Sequence, residues 1–159
     1  MTIARFFSTL ALVGAASSAS AQTATQTVTF QIDAINVIAF AGSPSLVVNS
    51  AVAGNAPTSA TSAVASWAVT SNQSGAKITA SINSAMPAGL TLSVNLAAPA
   101  SATSVGLQAL GTTAVDVVTG ITKLAGAALG VTYQLDATAA AGVVASSSRI
   151  VTYTITGGT

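Results

Sequence analysis

Apolar side chains return at every second position in several short stretches of this chain, and that period limits what it can fold into. Val28, Phe30 and Ile32 alternate with Thr29 and Gln31; Ile78, Ala80 and Ile82 alternate with Thr79, Ser81 and Asn83; Leu90, Leu92, Val94 and Leu96 alternate with Thr91, Ser93 and Asn95. The same period recurs in Val131, Tyr133 and Leu135 and in Val151, Tyr153 and Ile155. A two-residue repeat sends successive side chains to opposite faces, so each stretch reads as a strand with one dry and one wet side. No stretch has convincing helical spacing. Alanine alone would favour helix, but here it lies among Gly, Ser and Thr, and the period outweighs the propensity. The many Thr and Val residues, stiff at χ1, also favour extended backbone.

Turn residues set the expected connections. Met86-Pro87-Ala88-Gly89, with Pro second and Gly fourth, predicts a type I turn joining 77–83 and 90–97 as a hairpin. A second hairpin is expected between Val131-Thr132-Tyr133 and Val151-Thr152-Tyr153, across an Ala, Gly and Ser tip from Thr138 to Ser148. Further strands are expected near Ser45–Asn49, Ser66–Ser71 and Ser104–Leu110. About eight to ten short antiparallel strands in one domain predict an all-β, immunoglobulin-like sandwich. No repeat long enough for a solenoid is present.

The N-terminus reads as a leader. Met1–Arg5 is short and basic, Phe6–Ala16 is apolar, and Ala19-Ser20-Ala21 is a small-x-small cleavage signal before Gln22, so residues 1–21 are expected to be a secretory signal peptide. The apolar stretch is about half of the ~20 residues a membrane span requires, and no span is expected in the mature chain. The 138 residues that remain (22–159) suit a single domain. Residues 22–34 read as an N-terminal extension and 35–159 as the sandwich. With no cysteine, that sandwich must be held by its core, its backbone hydrogen bonds or contacts with other copies.

Chemistry is scarce. Four cationic and three anionic side chains, with no Glu and no His, occur in 159 residues. Beyond the leader, Lys77, Lys123 and Arg149 balance Asp33, Asp116 and Asp136. A serine nucleophile would lack a histidine to activate it, so the chain is not expected to be an enzyme. The three Asp are too scattered for a calcium loop or a glycosidase pair, and no cofactor or metal is expected. A neutral mature chain has too few cations to neutralise several phosphates, which argues against nucleic acid. Gly126 to Gly130 has G-x-x-x-G spacing but reads as a loop outside a membrane. Asn72-Gln73-Ser74 fits a glycosylation sequon and reads as a turn. Trp67, the single Trp, is expected to plug the core; the other reading is a platform for sugar stacking. Tyr133 and Tyr153 are expected to pack inward with their hydroxyls partnered.

An uncharged β protein has few guards on its strand edges, whose unpaired N–H and C=O groups invite other chains. Val28, Phe30 and Ile32 put three large apolar groups on one face, just ahead of the largely apolar Ile35–Phe40. Such a strand can add to its own sheet or fill a groove in a neighbour. Head-to-tail transfer does not close, and so it yields a filament. The leader, this alternating strand, the sandwich body and the final Val151-Thr152-Tyr153-Thr154-Ile155-Thr156 together resemble bacterial fimbrial and pilus subunits that polymerise by donor-strand complementation. The resemblance implies an extracellular homopolymer of identical subunits, a donor strand at Val28, Phe30 and Ile32, and a periplasmic assembly factor as partner. The alternative is a secreted surface or adhesin module that does not polymerise.

Overall fold

The computed structural model describes residues 21–159. Ala19 and the rest of the expected leader before Ala21 lie outside the described residues. Internal contacts divide the chain into Met1–Ile32 and Asp33–Thr159. In the first unit, residues 21–32 are exposed and carry neither helix nor strand. Val28, Phe30 and Ile32 are 73%, 87% and 80% exposed. Their alternation gives a strand-compatible pattern, but a strand exists only with a hydrogen-bonded partner.

The second unit is all-β. Nine strands run in the order β1 (Asn36–Ala41), β2 (Ala60–Ser71), β3 (Ala76–Ile82), β4 (Leu90–Leu96), β5 (Thr103–Ser104), β6 (Gln108–Ala109), β7 (Val115–Ile121), β8 (Leu124–Ala137) and β9 (Val151–Thr156). They form two antiparallel sheets, β1-β2-β8-β4-β6 and β5-β7-β3-β9, in a sandwich-like arrangement. The core between them contains Trp67 and Val69 of β2, Ile78 and Ile82 of β3, Val94 and Leu96 of β4, and Val131 of β8, all nearly or fully buried. These residues are the apolar half of each alternation, which is why the pattern located the faces.

Both expected hairpins are overturned. β3 and β4 lie in different sheets, as do β8 and β9. β4 pairs instead with β8 along its whole length, from Leu90↔Ala137 to Leu96↔Val131, and β9 pairs with β3, Ile78 facing Ile155. The Pro–Gly turn sits one residue later than expected. Leu90 donates its N–H to the Pro87 carbonyl, and Gly89 takes φ +79°, the left-handed geometry of the third position of a type II turn. It redirects the chain from one sheet to the other rather than back on itself.

Ser45–Asn49 forms no strand; that stretch is followed by an isolated bridge between Ala51 and Pro57. The expected strand at 104–110 is split into β5 and β6. Gly126–Gly130 is not a loop but lies within β8. There, Ala128 has φ +54°, and the β2–β8 register shifts between Trp67 and Val69, a bulge that breaks the alternation. β7 was not anticipated. Its consecutive Val117 and Val118 are both fully buried, and its register with β3 shifts beside Ile78.

Candidate functional site

The two sides of the sandwich end differently. On one side, the outermost strands β5 and β6 are two residues long, and very short edges offer little ladder to another chain. On the other side the outermost strands are β1 and β9, six residues each, with no charged residue in either. Neither holds a Lys, a Pro or a register shift, so the usual edge guards are missing.

These long edges meet. Phe40 of β1 stacks on Tyr153 of β9, with ring centroids 3.9 Å apart and planes 10° from parallel. Behind it, Phe40 faces its ladder partner Trp67 at 5.9 Å. Inward-pointing Ile38 and Phe40 from β1, with Val151, Tyr153 and Ile155 from β9, pack on the core but remain only half-buried. Aromatic and branched apolar side chains in a seam between two open edges are partly wet, and covering them would stabilise by roughly 25 cal/mol per Å² removed from water.

Tyr153 also reaches across the sandwich. Its hydroxyl lies 2.7 Å from that of Tyr133 on β8. Burial pushes both phenols above their ordinary pKa, and for Tyr153 the hydrogen bond with Tyr133 pushes the same way. Burial favours the neutral form of both rings, which serve as a cross-sheet latch. The inward packing expected for these rings is observed, and each hydroxyl's partner is the other's.

At one end of this seam the chain is tied down by side chains. The Asn72 amide continues the β1–β2 ladder with its side chain: Ile35 donates its N–H to Asn72 Oδ1 at 2.8 Å, and Asn72 Nδ2 donates to the Asp33 carbonyl at 2.7 Å. The Asn72 N–H donates to the Ile35 carbonyl. Beside it, Ser71 Oγ donates to Asn36 Oδ1 and Asn36 Nδ2 donates to Gln73 Oε1. These polar side chains fasten the start of β1 to the β2–β3 connection. Sequence reading took Asn72 as a turn residue and missed this role, whose only signal was an Asn beside the end of a strand.

The remaining charged groups among the described residues lie in separate places. Lys77 pairs with Asp116 at 2.9 Å on the surface. Asp136 accepts hydrogen bonds from Ser59 and Gln134. Among the described residues no three His, Cys, Asp or Glu side chains come together as a metal site would require. Trp67 is 2% exposed, and its Nε1 donates to the Ala97 carbonyl at 3.1 Å, so its ring is core and not a sugar platform. A cavity of about 710 Å³ opens between segments 42–59 and 138–150, lined by Leu46, Met86, Leu90, Leu135 and Val144 among others, and no ionisable group faces it. No helix among the described residues is long and apolar enough to cross a membrane. Comparison with family models, curated proteins and solved structures finds no match.

Proposed function

We propose that the protein is the structural subunit of an extracellular filament, built head-to-tail by β-strand addition at the β1/β9 seam. The carrying observation is the asymmetry of the edges: six-residue uncharged strands meet on one side, and two-residue strands close the other. The occupant is the segment bearing Val28, Phe30 and Ile32 from a neighbouring copy. Its three apolar groups are exposed in the single chain, and alternate side chains of an added strand are what a half-covered seam accommodates.

Strand order supports an immunoglobulin-like reading. β1-β2-β8-β4 follows the A-B-E-D order of such sandwiches, and β9 beside β3 follows F beside C. The place of strand G would be next to β9, where no strand lies among the described residues. An added strand from a neighbour completes the sheet there. On this reading the protein is exported by its leader and assembled with the help of a periplasmic factor.

Electron microscopy of negatively stained, secreted material tests the proposal. Fibres that disappear when residues 22–32 are deleted support it; a compact single particle at high concentration overturns it.

A further inference from the structure

We propose that Asn72 is a positioning residue that keeps the N-terminal segment from closing onto its own β1 edge and so reserves it for a neighbouring copy. This rests on the strand-addition reading and adds the control on which copy is served.

The inference follows from register. Inward-facing residues of β1 are Asn36, Ile38 and Phe40. A segment returning antiparallel along β1 places directly opposite residues on the same face. With the Asp33 carbonyl and the Ile35 N–H both tied to the Asn72 amide, reversal must occur upstream. A two-residue turn at Gln31–Ile32 then sets Thr25 opposite Ile38 and Thr23 opposite Phe40. A three-residue turn at Phe30–Ile32 sets Ala24 and Gln22 there instead. Neither return brings Val28, Phe30 or Ile32 onto the apolar part of the seam.

Releasing the clamp changes the outcome. A three-residue turn at Asp33–Ala34–Ile35 sets Ile32 opposite Asn36, Phe30 opposite Ile38 and Val28 opposite Phe40. All three apolar groups then lie on the inward face of their own chain's edge. The sequence thus contains a register for self-closure, and the turn it needs is the stretch that the Asn72 amide ties down. A neighbour's segment is free of this restriction because it arrives unattached to the acceptor's Asp33.

The absence of cysteine makes the test clean. In the self-closed register Thr29 lies opposite Ala39, both exposed positions. The mature chain carrying Thr29→Cys and Ala39→Cys is oxidised with glutathione at high dilution, with Asn72 present and with Asn72→Ala. The expected result is an intramolecular disulfide that forms about tenfold faster or more in the Asn72→Ala protein, two hydrogen bonds having been removed, together with loss of fibres from the same protein without the cysteines. Equal rates with and without Asn72, or no intramolecular disulfide in either, overturn the inference. Should Asn72→Ala fail to fold by circular dichroism, Asn72→Asp keeps the acceptor for Ile35 and loses the donor to Asp33, and an accelerated disulfide is expected there too; an unchanged rate overturns the inference. Fibres that persist after deletion of residues 22–32 sink the strand-addition reading itself, a separate result.

Discussion

The phenolic oxygens of Tyr133 and Tyr153 meet at 2.7 Å across the interior of the sandwich, joining β8 of one sheet to β9 of the other. Among the described residues β9 has a ladder partner on one side only, so this bond and the Phe40 stack on Tyr153 help fix an edge strand that β3 alone would otherwise hold. Tyr153→Phe keeps the ring and removes the bond, leaving the Tyr133 hydroxyl without its partner. The expected loss is about 1 kcal/mol in urea unfolding. The Tyr133→Phe, Tyr153→Phe pair should cost less than the two single losses summed, as coupled residues do.

The same pair predicts an alkaline limit. Both phenols titrate higher in the fold than in the unfolded chain, chiefly through burial. Above the unfolded phenol value of about 10 the unfolded chain releases protons that the folded one retains, so stability falls as pH rises. Below that value this source contributes no pH dependence. Unfolding midpoints measured from pH 8 to 12 should be flat and then decline, with a shallower decline in Tyr153→Phe.

Trp67 lies 2% exposed between the sheets and donates to the Ala97 carbonyl. Trp67→Ala leaves a large cavity and an unpaired carbonyl, and the expected cost is about 3–5 kcal/mol. Native fluorescence from this single Trp should be blue-shifted, moving to the red in a single step on unfolding and not responding to a glycan panel.

Gly89 has φ +79°. A Cβ there would lie 2.7 Å from Thr138 Oγ1 and 2.9 Å from the Ala141 Cα. Gly89→Ala therefore combines backbone strain with a clash against main chain, and a loss of more than about 1 kcal/mol is expected. Gly54→Ala, where φ is also positive but nothing lies within 4 Å, should cost less, and comparing their thermal midpoints isolates the clash.

Edge guarding tests the seam directly. Val37 and Ala39 point outward from β1 and are exposed, so Val37→Lys with Ala39→Lys should change stability by no more than about 0.5 kcal/mol each. Charges on an edge discourage added strands. Fibres should be lost while the monomer's unfolding curve is kept; fibres as abundant as those of the parent protein would remove β1 from the interface.

The reach of the sequence can be judged strand by strand. Ile78, Ala80 and Ile82 were readable as an inward row because a two-residue period reports which face a residue occupies. Trp67 was readable as core because the chain has few other groups large enough to fill one. β7 was not readable, since Val117 and Val118 are both buried at a register shift and no alternation survives there. The first half of β8 is mostly Ala and Gly, with a bulge at Ala128, and it resembles a loop for the same reason. Asn72 gave no usable sign, because its work depends on backbone groups nearly forty positions earlier in the chain.

The sequence by itself determined that the protein is built of strands, which side of the clearest strands is dry, and that almost nothing in it can ionise. Only the tertiary structure decided which sheet each strand joins, that β1 and β9 form one long open side, and that Asn72 ties down the stretch before β1. The physical reason is that faces are recorded in side chains. Partners are chosen by backbone hydrogen bonds between distant segments, and every residue but proline offers the same N–H and C=O.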